Sequence, residues 1–259
     1  MQLYKGMNIG TAKLSAEEQQ GIPHHLLDVW DVRVTATAAA YQGLCRDTLA
    51  ELSGRNKTAI VVGGSGLYVR AALDQIEFPG TDPELRAALE QELAELGPEV
   101  LHRRLRELEP AAADRMEPTN GRRVVRALEV VLLTGSMPGQ MTSYPMHIET
   151  TYLGLDREDL ADRVAVRVAR MWEQGLLAEV AGLDGLREGV TASQALGYAQ
   201  ALAQLDGELT EAEAQAQTVS ATRRFVKRQR AWFRRDPRVH WLEAGPDALG
   251  QAIRLTRRE

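Results

Sequence analysis

Apolar residues recur at helical spacing along most of this chain; strand-like runs are few and short. Stretch 37–53 carries Ala38, Tyr41, Leu44, Cys45, Leu49 and Leu52 at helical spacing and closes on Gly54, which predicts a helix. Next, 58–62 (TAIVV) is nearly all apolar, as in a strand buried on both faces of a parallel sheet. It runs into Gly63-Gly64-Ser65-Gly66 and then LYVRAAL, a helical pattern, giving the order strand, glycine turn, helix of an α/β fold. Stretch 82–117 changes character. Asp82-Pro83 signals a helix start, and Leu85, Leu89, Leu93 and Leu96 form one stripe. After Gly97-Pro98, Leu101, Leu105 and Leu108 form a second stripe, so this part reads as a helical insertion. A helix over 121–134 ends at Gly135, and 135–146 is rich in turn residues. TTYLGL (150–155) reads as a strand, with Asp156 capping a helix that runs to Gln174. Helices are predicted at 176–187, 192–205 and 210–234, with VHWL (239–242) as a final strand.

The 259 residues suffice for one large or two smaller domains. With 44% apolar and 26% charged residues, the composition is that of a globular protein rather than a disordered or fibrous one. No run of eighteen apolar residues is present, which argues against a membrane span, and no signal peptide is visible. One cysteine excludes an internal disulfide framework and fits a reducing cytosol; Cys45, in a helical pattern, reads as a core residue.

The net charge of −5 argues weakly against a polyanion partner, but its distribution reverses that. Arg223, Arg224, Lys227, Arg228, Arg230, Arg234, Arg235 and Arg238 cluster against one acid, Asp236. Phe225, Val226, Trp232 and Phe233 interleave with them, the mix a phosphate grip with base stacking uses, or the inner face of a surface helix. Gly64 and Ser65 lie at the end of the proposed strand, where α/β sheets bind ligands, although taken alone the signal is weak and a bare glycine turn joining strand to helix is the preferred reading. Arg163, Arg167 and Arg170 share one helical face; an anion such as diphosphate would relieve their repulsion, as would pairing with Glu158, Asp159 and Asp162. Arg122, Arg123 and Arg126 open a helix with cations against its dipole, which RNA phosphate or a nearby acid would offset. The adjacent His24-His25 pair has no third ligand at metal spacing and reads as loop structure.

Taken in order, MQLYKGMNIGTAK, GIPHHLLDV, 61–73, DPELR, RRVVRALEV, QGLLAEV, QALGYAQ and TRRFVKRQRAWFRR resemble the tRNA dimethylallyltransferase family over essentially the whole chain. The resemblance implies an α/β, P-loop-NTPase-like parallel sheet, with 1–78 and 146–259 as the catalytic core and 79–145 as a mostly helical insertion gripping the anticodon stem. It implies transfer of a dimethylallyl group from its diphosphate to the exocyclic amine of the adenosine 3′ of the anticodon, on a flipped base. It makes Ser65 and Arg167 catalytic and assigns Gly64, Ser65, Arg163 and Arg167 to the diphosphate. It assigns Met1, Gln2, Ser65, Arg86, Arg122, Arg123, Arg126, Gly197, Tyr198, Lys227, Arg228, Gln229, Arg230, Trp232 and Arg234 to tRNA. Mg²⁺ is the implied cofactor, tRNA and dimethylallyl diphosphate the partners, and a cytoplasmic monomer the form.

No G-x-x-x-x-G-K-[ST] occurs in the chain, and the family's phosphate loop, with its Mg²⁺ ligand and an aspartate base, would fall upstream of Met1. The expectation on that ground is a weakened and inactive chain. The alternatives are a catalytically dead tRNA-binding remnant and a small-molecule kinase relative; the latter leaves the basic stretch at 223–235 unexplained.

Overall fold

The computed structural model describes residues 1–138 and 143–257. The chain divides into two compact units, Met1–Gln75 with Pro145–Glu259, and Ile76–Tyr144.

In the larger unit, α1 (Ala38–Gly54) and α2 (Gly66–Leu73) are followed, after the other unit, by β1 (Tyr152–Asp156). The smaller unit contributes α3 (Pro83–Leu96), α4 (Pro98–Leu108), α5 (Pro110–Ala113) and α6 (Gly121–Thr134). After β1 come α7 (Leu160–Glu173), α8 (Leu176–Gly182), α9 (Tyr198–Leu205), α10 (Glu211–Phe233), β2 (Val239–Glu243) and α11 (Ala248–Thr256). β1 and β2 pair in parallel, from Tyr152 opposite Val239 to Asp156 opposite Glu243. The crossover between them consists of helices, the connection parallel strands require. The α/β class and parallel sheet expected from the sequence are therefore present.

The helix ends follow local chemistry. Thr37 caps α1 by accepting from Ala40 N. The Asp82 carboxylate accepts from Glu84 N and Leu85 N, with Pro83 in the first turn of α3. The carboxamide of Asn120 caps α6 at Arg123 N, and Gly135 ends α6 with φ +82°, a conformation that favours glycine.

Three buried clusters hold the units. Tyr4, Met7, Val168, Met171, Leu176, Leu186 and Tyr198 anchor the largest, joining the N-terminal loop to α7, α8 and α9. Cys45, Ala72, Leu73 and Tyr152 join α1 and α2 to β1. Leu89, Leu101, Leu105, Val124, Val125 and Leu128 form the core of the smaller unit, where the two leucine stripes meet α6. Burial of this kind contributes about 25 cal/mol per Å² of apolar surface removed from water.

Three sequence expectations need correction. The run 58–62 is not a strand: among the described residues no segment pairs with it, and Ile60 and Val62 are 86% and 87% exposed. A strand without a neighbour has no ladder to satisfy its backbone, whatever its composition. Asp156 does not cap α7; Asp159 stands at that position, and Asp156 ends β1. The helices expected at 176–187 and 192–205 begin or end at Gly182, Gly185 and Gly197, the last two with φ +75° and +89°. The strand expected over 239–242 is present as β2, the last strand of the chain, with α11 after it.

Candidate active site

The glycine turn and the basic helix meet. Gln229 Nε2 of α10 donates to the Gly64 carbonyl at 2.9 Å. Trp232 lies so close to Gly66 that an added Cβ would come within 2.0 Å of its indole nitrogen; at Gly64 a Cβ would meet the Gln229 amide at 1.7 Å. The rigid indole leaves no room for a side chain at Gly66, a reason not visible in the sequence, whereas at Gly64 the contact is the end of the flexible Gln229 side chain, which can move aside. Ser65 stands at the N-cap of α2, but its side chain makes no capping bond and is exposed. The hydroxyl and the start of the helix remain open to a ligand.

The opposite end of α2 is fixed from α1. Arg46 donates to the carbonyls of Ala71, Ala72 and Asp74 at 3.2, 3.3 and 2.7 Å, and Gln42 donates to Ala71 O at 2.9 Å. A cation on the last carbonyls of a helix also complements its dipole. Next to them, the fully buried Asp74 takes Arg70 Nε at 2.7 Å, both Nη atoms of Arg238 at 2.7 and 3.1 Å, and the Tyr152 hydroxyl at 3.2 Å. Burial and the neighbouring Asp74 charge push the Tyr152 phenol up to about 12.

The cations on and just after α10 differ in their partners. Lys227 and Arg228 are exposed and make no ion pair among the described residues. Arg230 and Arg234 converge on Asp156 at the end of β1, Arg234 at 3.0 Å. Burial alone would raise the Asp156 carboxyl; hydrogen bonds from Arg230, Arg157 N and Arg234 outweigh it and hold the group below the ordinary carboxylate value. Arg223 donates to Ala161 O and ties α10 to the start of α7, and Arg224 donates to Ser220. Arg238, part of the basic stretch, is not a free phosphate ligand: it is held by Asp74 and Asp236, its cation 4.4 Å from the Tyr152 ring centre.

On α7, Val164, Val168, Met171 and Trp172 form the buried stripe, which leaves Arg163, Arg167 and Arg170 exposed. Only Arg163 has an acidic partner among the described residues, Asp159 at 4.0 Å. Of the acids that could have neutralised this face, only Asp159 takes part.

Other expected RNA contacts fare differently. Tyr198 is fully buried, and its hydroxyl donates to Glu179, whose other oxygen accepts from Asn8 N and Ile9 N. Its side chain supports the N-terminal loop and cannot reach RNA; Gly197 is buried beside it. Gln2 turns its amide onto the Thr11 and Ala12 carbonyls, while Met1 is exposed. In the smaller unit, Arg86 and Arg126 are engaged by the fully buried Glu129 at 2.9 and 2.7 Å, and Arg126 also holds the Pro79 and Gly80 carbonyls. Arg122 and Arg123 remain exposed at the start of α6 with no acidic partner among the described residues.

Among the described residues no three His, Cys, Asp or Glu converge to hold a metal ion. His24 Nδ1 contacts the Ile22 carbonyl at 2.8 Å, the loop role expected of it. Cys45 is buried, and burial raises its thiol, as befits a core residue. No described helix is long and apolar enough to cross a membrane.

The family model described as IPP transferase matches residues 2–236. A tRNA dimethylallyltransferase from Thermobifida fusca is 56% identical over 265 residues, covering 98% of this chain and 82% of the relative. A tRNA isopentenylpyrophosphate transferase from Bacillus halodurans superposes with a TM-score of 0.68 at 36% identity, over 97% of this chain and 82% of that one. A eukaryotic dimethylallyltransferase acting on tRNA superposes at 0.79 with 25% identity, over 98% and 69%. These matches do not favour a catalytically dead remnant. The chain belongs to the IPP transferase family, whose close members are tRNA dimethylallyltransferases.

Proposed function

We propose that this chain transfers a dimethylallyl group from dimethylallyl diphosphate to the exocyclic amine of the adenosine 3′ of the anticodon. The observation that carries the reading is the docking of a cationic, Trp-bearing turn of α10 on the Gly64-Ser65-Gly66 turn, through Gln229 and Trp232.

In the reaction the amine nitrogen bonds to the allylic carbon as the carbon–oxygen bond breaks. The bonding pair leaves on diphosphate, and the nitrogen gives up one proton. Negative charge therefore grows on the leaving group, and fixed donors there lower the barrier more than they bind the ground state. The exposed Ser65 hydroxyl, Gly64 and the start of α2 supply donors. The unneutralised Arg167, with Arg163, supplies cationic charge; arginine suits phosphate because its donors are forked. Lys227, Arg228, Arg230 and Arg234 hold RNA phosphate, and the partly exposed Trp232 offers a ring to an unstacked base. In the smaller unit Arg122 and Arg123 take the anticodon stem, with Arg86 and Arg126 stiffening the helices beneath them through Glu129. The chain acts as a monomer in the cytoplasm, with Mg²⁺ accompanying the diphosphate.

Incubating the chain with unmodified tRNA and labelled dimethylallyl diphosphate should move label onto the RNA, and changing the target adenosine to guanosine should abolish the transfer. Tight tRNA binding with no transfer would leave the remnant reading standing instead.

A further inference from the structure

Asp156 lies at the carboxyl edge of the parallel pair, the edge at which α/β sheets bind ligands. Its Oδ1 accepts from Arg230 Nη2 and from Arg157 N at 2.9 Å, and its Oδ2 accepts from Arg234 Nη2 at 3.0 Å. Arg230 Nη2 also donates to the Arg157 carbonyl. Arg230 follows Gln229, the residue bonded to Gly64, so both guanidiniums belong to the part of α10 that meets the glycine turn.

Two arginines one turn apart repel each other, and each carries several rotatable bonds that a ligand would have to freeze. A carboxylate shared between them removes both costs in advance. Yet Asp156 does not consume either guanidinium. Each arginine reaches it through Nη2 alone rather than through the bidentate fork. A guanidinium has five N–H donors, so most of those on Arg234 remain for another acceptor. On Arg230, Nε is buried and has no protein acceptor. One carboxylate between two cations also leaves the group net positive.

We propose that Asp156 is a positioning residue: it presets the guanidiniums of Arg230 and Arg234 to receive backbone phosphates of the tRNA. The inference rests on the reading of α10 as the RNA-facing helix. Removing Asp156 gives opposite signs for the two roles it could have. If Asp156 only neutralises charge, its removal leaves a more positive surface that binds every RNA more tightly. If it positions the arginines, its removal weakens binding despite the added positive charge.

The test is the affinity of an anticodon stem-loop RNA for the full chain, by fluorescence anisotropy at fixed salt, with the folded fraction set by circular dichroism. Asp156→Asn should bind about ten-fold more weakly than the unchanged chain, the scale on which a hydrogen-bonded charge partner acts. Asp156→Glu, which restores the carboxylate, should recover most of that affinity. In a chain already carrying Arg230→Gln and Arg234→Gln, Asp156→Asn should add nothing, as a double-mutant cycle requires of coupled groups. Equal or tighter binding by Asp156→Asn overturns the inference while leaving the functional reading intact. So does a weakening matched by Asp156→Glu and accounted for by unfolded protein. Failure of the unchanged chain to bind the stem-loop overturns the functional reading and the inference with it.

Discussion

Replacing Asp74 by alanine tests the network that fixes α2 and the start of β2. Asp74 is fully buried, and four hydrogen bonds from Arg70, Arg238 and Tyr152 end on its carboxylate. The alanine variant removes all four and leaves two guanidiniums, whose side chains are 8% and 17% exposed, short of a counter-charge. Breaking a buried ion pair from one side typically costs about 3–5 kcal/mol. Arg238 retains Asp236 at 2.7 Å, which points to the lower end, about 3 kcal/mol. In a chain of this size each kcal/mol moves the melting temperature by roughly 2–4 °C, so a fall of about 6–12 °C is expected. Thermal melting by circular dichroism, supported by urea titration, reads it directly. Asp74→Asn keeps the shape but turns an amide towards donors, and should fall between the two. A melting temperature within about 2 °C of the unchanged protein would refute the reasoning, because it would mean that the buried charge balance contributes nothing net.

Two further outcomes are expected. Glu129→Gln removes the buried charge that holds Arg86 and Arg126, while both arginines can still reach water at 33% and 29% exposure. It should therefore destabilise the smaller unit by about 1–3 kcal/mol in chemical denaturation, and no measurable change would contradict its structural role. Tyr198→Phe removes the hydroxyl bond to Glu179 and should cost about 1 kcal/mol with tRNA affinity unchanged; weaker affinity at constant stability would restore Tyr198 as an RNA-binding residue.

Local signals carry much of the fold. Asp82-Pro83, Gly97-Pro98 and Gly135 each act within a turn of their own position, and the helices they bound, α3, α4 and α6, lie where the sequence puts them. The strands β1 and β2 are legible as well, each a short run rich in apolar and aromatic residues. What fails depends on distant partners. The run at 58–62 has the composition of a buried strand, but strand status belongs to a pair, and no partner exists among the described residues. The candidate site shows the same division. The basic stretch is visible as composition, but its sorting is not. Arg238 is drawn off by Asp74, 164 residues away, and Arg230 and Arg234 by Asp156, 74 and 78 residues away. Glu129 does the same to Arg86 and Arg126. A family motif marks which positions matter without saying whether a residue touches RNA or holds a neighbour, and Tyr198, inside the core, is the clearest case.

The most direct test of α10 as an RNA-binding element is the salt dependence of tRNA affinity for a Lys227→Gln, Arg228→Gln double variant. Both side chains are exposed and unpaired among the described residues, so stability should hold. Removing one phosphate-binding cation should reduce the slope of log K against log salt by about one, so the double variant should show a drop of about two, with affinity falling on every tRNA alike. An unchanged slope would contradict the account, because cations that release no counterions on binding are not at the phosphates.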